Sequence, residues 1–291
     1  MIVVTGASGL LGKGIVEALL RRLPAHEISV SVRQPERAAH LASLGVRVRQ
    51  GDYEDGASLR HAFEGAHTVL LVSSNASAEG KDPIAQHQTA IAAARAAGVR
   101  RLVYTSHMAA SHDSAFPPMR DHATTEALLA DSGLAWTALR NGFYAASGLV
   151  LLGDARTSGL VAAPADGKVA WTAHADLAEA AAAILTGHAA FEGPTPPLTG
   201  TDALDLTDLA RLLSEVAGVP VTRTVVDDDA FRARLVTFGV PAPRIAIVLG
   251  LYEASRRGEF ATVDPTLTRL LGRAPTTMRD LLAAPVRPPS S

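Results

Sequence analysis

Residues whose type and spacing could do chemistry stand within the first twelve positions: MIVVTGASGLLG sets Gly6, Gly9 and Gly12 directly after an apolar run. The first glycine permits a tight turn, the second lets backbone N–H groups approach a phosphate, and the third lets the next helix lie close to its strand. An anion at such a turn also meets the positive end of the helix dipole. The pattern predicts a pyrophosphate cradle made by Gly6, Ser8, Gly9, Leu10, Leu11 and Gly12. Glycines alone also mark ordinary turns. Here Ile2 to Val4 reads as a strand, and Leu11, Ile15, Ala18 and Leu19 form one face of a helix, which supplies the context the turn requires.

The second strand predicts which dinucleotide is held. An NAD ribose would call for an acidic residue at its end, about 20 residues beyond the glycines. The segment SVSVRQPERA carries Arg33 there, with Arg37 one turn on. A guanidinium suits the extra 2′-phosphate, so NADP(H) is the expected cofactor. Asp52, in QGDYED after the third strand, either accepts from the adenine amino group or caps a helix or turn. Ser73 and Ser74 close the fourth strand, where ligands of such sheets lie.

The elements that must position these residues follow from periodicity. Strand-like runs at Ile28 to Val32, Val46 to Arg49, Thr68 to Val72, Arg101 to Thr105 and Ala135 to Leu139 alternate with helical patterns at Glu36 to Leu44, Gly56 to Glu64, Pro83 to Ala97 and Pro118 to Asp131. This predicts an α/β fold, a Rossmann-type doubly wound parallel sheet, over residues 1–150. Residues 151–291 read as a smaller, mainly helical substrate lobe, with a strand at Lys168 to Trp171 and a helix at Asp176 to Thr186 (together 168–188) returning to the main sheet. The final APVRPPSS reads as a frayed tail.

Composition removes several chemistries. Zero cysteines in 291 residues exclude disulfides, thiolate nucleophiles and thiolate metal centres. The ten histidines show no metal-binding spacing, so no metal is expected. A net charge of -2 without a basic run argues against nucleic acid. No apolar stretch approaches the roughly 20 residues that span a bilayer, and the first residues form a core strand without a basic leader; the expected setting is cytoplasmic, with no membrane partner. The oligomeric state stays open, a homodimer included.

Strand, turn and Val32-Arg33 resemble the short-chain dehydrogenase/reductase superfamily. TGASGLLG, SVRQPERAAHLASLGVRVRQGDYED, AARAAGVRRLVYTS, HATTEALLADSGLAWTALRNGFY and GRAPTTMRDLL are similar to its NmrA-like group, especially the bacterial type 2 NAD(P)H:quinone oxidoreductases, over nearly the whole chain. Most superfamily members use a Tyr-x-x-x-Lys pair to protonate a carbonyl. That pair is absent, since the lysines stand only at Lys13, Lys81 and Lys168. In its place His122 and Glu126 share a helix face at i, i+4, as an exposed surface pair also would. The resemblance implies a pocket position for His122, a polarising role for Ser106, and contacts from Asn141, Gly142, Phe143 and Tyr144 beside the nicotinamide and acceptor ring. It also draws attention to Lys168 and to His174, where the group usually carries arginine.

Loss of the strong acid favours an acceptor that takes hydride with little help. The expected activity is therefore NADPH-dependent hydride transfer to a quinone or similar small, planar conjugated carbonyl. Two alternatives stand beside it: a non-enzymatic NADP(H)-binding redox sensor, as in regulatory members of the group, and a biosynthetic ketone or enone reductase with Tyr144 as its acid.

Overall fold

The structure is a computed structural model that describes residues 1–284; the predicted tail from Pro285 onward lies outside the described residues. Its chain runs β1 (Ile2–Thr5), α1 (Leu10–Leu20), β2 (Ile28–Val32), α2 (Ala39–Ser43), β3 (Arg47–Gln50), α3 (Gly56–Phe63), β4 (Thr68–Leu71), α4 (Pro83–Ala96), β5 (Arg101–His107), α5 (Pro117–Ala130) and β6 (Ala135–Asn141). There follow β7 (Phe143–Tyr144), α6 (Ala145–Leu151), α7 (Ala155–Ser158), β8 (Leu160–Pro164), β9 (Trp171–Thr172), α8 (His174–Leu185), β10 (Gly193–Pro194), α9 (Leu206–Ala217), β11 (Thr222–Val226), α10 (Asp228–Thr237), α11 (Ala242–Arg256), α12 (Thr266–Leu271) and α13 (Met278–Ala283).

Seven strands make one parallel sheet in the order β10-β6-β5-β4-β1-β2-β3. The order reverses between β1 and β4, which opens a crevice at their carboxyl ends. Strands this apolar must be covered on both faces. Ile15, Val16 and Leu19 of α1 with Leu177, Ala178 and Ala181 of α8 cover one face. Leu59 and Phe63 of α3 with Ala90 and Ile91 of α4 cover the other.

Sequence and structure part company in the second half. Lys168 to Trp171 does not enter the main sheet: only Trp171 and Thr172 are extended, and they pair with Phe143 and Tyr144. The seventh strand is instead the Gly193–Pro194 pair beside β6. A further parallel pair, β8 with β11, also went unpredicted, because TRTVV is largely exposed and lacks a core-facing alternation. A further buried cluster joins Leu209, Leu213, Tyr252 and Phe260 to Phe116, Met119 and Phe143.

Candidate functional site

At the carboxyl end of β1 the chain turns with Gly6 at φ +60°, a region closed to most side chains. Gly9 donates its N–H to the Gly6 carbonyl at 3.0 Å and becomes the N-cap of α1. A Cβ on Gly12 would lie 2.3 Å from that same carbonyl oxygen, so only glycine lets α1 start this close to the turn. The free N–H groups of the first helical turn face outward, where an anion would bind.

Two adjoining cavities meet at this turn, both lined by Gly6, Gly9, Val72, Ser73 and Ser74. The first, about 320 Å³, extends past Ser8 to Ser31, Arg33, Asp52 and Lys81. Arg33 stands exposed at the mouth, near an ion pair in which Lys81 meets Glu54 at 3.0 Å. Asp52 lines the same cavity, and its Oδ1 also accepts the Glu54 N–H at 3.0 Å. The N-cap of α3 is Asp55, so Asp52 is a turn residue and not a helix cap. Ser73 and Ser74 hold the wall through their backbones: their N–H groups donate to Thr105 Oγ1 and His87 Nε2.

The second cavity, about 620 Å³, runs from Leu10, Leu11 and Gly12 to the ends of β5, α5 and α11. Ser106, His122, Phe143, Tyr144 and His174 all line it. Asn141 and Gly142 are not among its lining residues. Gly142 is wedged against Thr172, whose Oγ1 would lie 2.2 Å from an added Cβ, and Asn141 is buried with its Oδ1 lacking a protein partner. Lys168 lies apart from the cavity, anchored to Asp205 and Asp208. Its predicted substrate contact is corrected accordingly, since two carboxylates hold the ammonium away from the cavity lining.

The geometry also corrects the expected His122–Glu126 pair. Glu126 is buried and turned toward the sheet, where Arg140 grips it side-on at 2.7 and 3.1 Å. Ser106 donates its hydroxyl to the same carboxylate at 2.6 Å. Its proton is spent inside the protein, so the predicted polarising contact to an acceptor would have to come from elsewhere. His122 instead pairs through Nδ1 with the Tyr104 hydroxyl at 2.8 Å. Burial holds its pKa well below the ordinary histidine value, helped by the neighbouring imidazoles of His107 and His87. The Tyr104 phenol is pushed upward by burial and keeps its proton. Tyr144 is likewise pushed up to about 12 by burial, against hydrogen bonding from Asn141, and its ring stacks at 4.2 Å on that of His174. A tyrosine so raised is a poor acid at neutral pH.

Three residues that line the cavity escaped the sequence reading: Tyr104, His87 and His107. Tyr104 and His87 carry no motif, because their partners lie 18 and 13 positions away. His107 directly follows Ser106 and could have been found by extending the same strand.

A glycine turn with free backbone N–H groups, Arg33 in the cavity on one side and a mainly apolar cavity on the other thus stand together where the strand order reverses. Together with the sheet order, this defines an atypical short-chain dehydrogenase/reductase without the tyrosine–lysine pair. The chain belongs to the NmrA-like family, whose model matches residues 1–271. It is 37% identical over 281 residues to quinone oxidoreductase 2 of Escherichia coli, covering 96% of each chain. The structure of the Escherichia coli NADPH-dependent quinone oxidoreductase complexed with NADPH superposes with a TM-score of 0.90 at 36% identity, over 97% of this chain and 99% of that one. The Citrobacter sp. triphenylmethane reductase complexed with NADP(H) superposes with a TM-score of 0.88 at 33% identity, over 98% and 100%.

Proposed function

We propose that the protein is an NADPH-dependent reductase whose acceptor is a quinone or a similar conjugated carbonyl. The observation that carries this reading is the continuity of the two cavities: the one holding the glycine turn and Arg33 opens into one walled by Phe116, Phe143 and Tyr144, with an uncharged histidine at its end. When bound, NADPH supplies a hydride. The first-turn N–H groups of α1 would hold its pyrophosphate, and Arg33 would hold the 2′-phosphate.

At the acceptor end the Tyr104 hydroxyl and His122 Nδ1 lie 2.8 Å apart, and we assign the phenol, which retains its proton, as the donor. That assignment puts the imidazole proton on Nε2 of a residue that lines the cavity. His122 then acts as a neutral donor to the acceptor oxygen as negative charge grows there. Aromatic walls align the planar ring and exclude water from its faces. The remaining proton comes from solvent, because Ser106 and Tyr144 both hold theirs. Such a site suits an acceptor that stabilises its own anion and serves an isolated ketone poorly. We place the protein in the cytoplasm, supported by the lack, among the described residues, of a helix able to cross a membrane.

The test is NADPH oxidation at 340 nm with a quinone panel, alongside NADPH binding to the protein alone. Acceptor-dependent oxidation that is faster with NADPH than with NADH is the expected result. Tight NADPH binding without oxidation by any acceptor would overturn the enzyme reading in favour of a sensor.

A further inference from the structure

His107 is the last residue of β5 and is 8% exposed, yet it borders the acceptor cavity. Its Nδ1 accepts the Ala109 backbone N–H at 3.2 Å, which assigns the imidazole proton to Nε2. That N–H has no hydrogen-bond partner among the described residues, and the residue lines the cavity. Phe143 and Phe260 meet the ring edge to face at 5.2 and 5.7 Å, so it cannot turn away. The His122 ring lies alongside at 6.1 Å and 28°. Two neighbouring imidazoles therefore line the same cavity, each assigned its proton on Nε2 by the partner of its Nδ1. Burial keeps both uncharged near neutral pH. A buried donor facing an apolar chamber costs free energy until something in the chamber accepts from it.

We propose that His107 and His122 form a two-donor edge that selects acceptors carrying two oxygens on adjacent ring carbons, the ortho-quinones and related vicinal dicarbonyls. Oxygens on one edge of a ring can face both imidazoles at once. The oxygens of a para-quinone point in opposite directions, so only one of them can face this wall. The proposal rests on the reductase reading and goes beyond it. In the balanced step the ortho-quinone gains a hydride, two electrons and one proton, from NADPH, which ends as NADP⁺. The catechol monoanion spreads its charge over the two oxygens facing the two N–H groups, and one proton from water completes the catechol.

The experiment compares 1,2-naphthoquinone with 1,4-naphthoquinone in the wild type, His107→Leu, His107→Phe and His107→Asn, with the direct reaction of quinone and NADPH subtracted. In parallel, binding of the non-reducible vicinal diol 2,3-dihydroxynaphthalene is measured by calorimetry. Losing one donor should lower kcat/KM for the 1,2-isomer about tenfold in the Leu and Phe variants, with less than a twofold change for the 1,4-isomer. His107→Asn, which keeps an N–H donor, should recover much of the loss, and diol affinity should follow the same order. Equal losses for both isomers, or unchanged diol binding in Leu and Phe, would overturn the proposal. A wild type that reduces neither isomer would instead overturn the reductase reading, and diol binding would still decide whether the two donors act together.

Discussion

At the nucleotide end of the cleft the turn is shaped by backbone: a left-handed Gly6, a Gly9 cap and a Gly12 pressed against a carbonyl. At the acceptor end they are side chains held by other side chains, with Tyr104 on His122, Glu126 on Ser106 and aromatic rings around His107. The first end depends on what is absent at three positions, and no neighbour can substitute for a missing Cβ clearance. The second depends on long-range partners and can be retuned one contact at a time. A single fold thus carries a turn set by its backbone beside a cavity set by side-chain contacts.

The sharpest way to break the contrast is Gly12→Val. With no space for a Cβ, the start of α1 must move, and loss of NADPH binding together with about 3 kcal/mol or more of stability is expected, read by calorimetry and thermal melting. Removing the acceptor-end donor should act differently. His122→Phe is expected to lower kcat about a hundredfold or more while NADPH affinity stays within twofold, measured by steady-state kinetics and cofactor titration. Unchanged kcat would remove His122 from the mechanism.

Acid should strain the side-chain end first. Burial pushes His87 down to about 4 and His107 to about 3, whereas each would take a proton near pH 6.5 in the unfolded chain. The unfolded state therefore binds the extra protons. The stabilisation is complete above pH 6.5 and is lost as the pH falls through it, by about 1.4 kcal/mol per pH unit per histidine until the folded values are reached. Urea midpoints between pH 7 and 5 check this, and a flat profile would show that these imidazoles titrate freely in the folded state.

Two smaller effects sharpen the comparison. Arg33→Ala should weaken NADPH by about 1–3 kcal/mol and leave NADH nearly unchanged, which competitive binding reads directly. Ser106→Ala should change kcat/KM less than threefold, because its hydroxyl already donates to Glu126, but should lower stability by about 1 kcal/mol. A large kinetic loss there would restore Ser106 as a donor to the acceptor.

How far the site could be read from the sequence follows this same division. The glycine turn and the six alternating strands β1 to β6 were legible because each rests on local signals: glycine spacing, apolar runs and stop residues. The seventh strand was not, since a glycine–proline pair carries no apolar pattern and pairs only because β6 leaves an edge open beside it. Glu126 looked like a helical partner for His122 because four residues bring two side chains to one face. Its Arg140 lies on the neighbouring strand, and that stronger bidentate ion pair drew the carboxylate inward. Lys168 looked available for a substrate until α9 brought Asp205 and Asp208 beside it.

By itself, then, the sequence determined the parallel α/β scaffold and the dinucleotide turn, because both are written in residues near one another, where backbone conformation and periodicity decide. Only the tertiary structure decided what faces the acceptor. The proton on each imidazole depends on what its other nitrogen meets, Tyr104 for His122 and the Ala109 amide for His107, and the uncharged state of both depends on burial by elements distant along the chain.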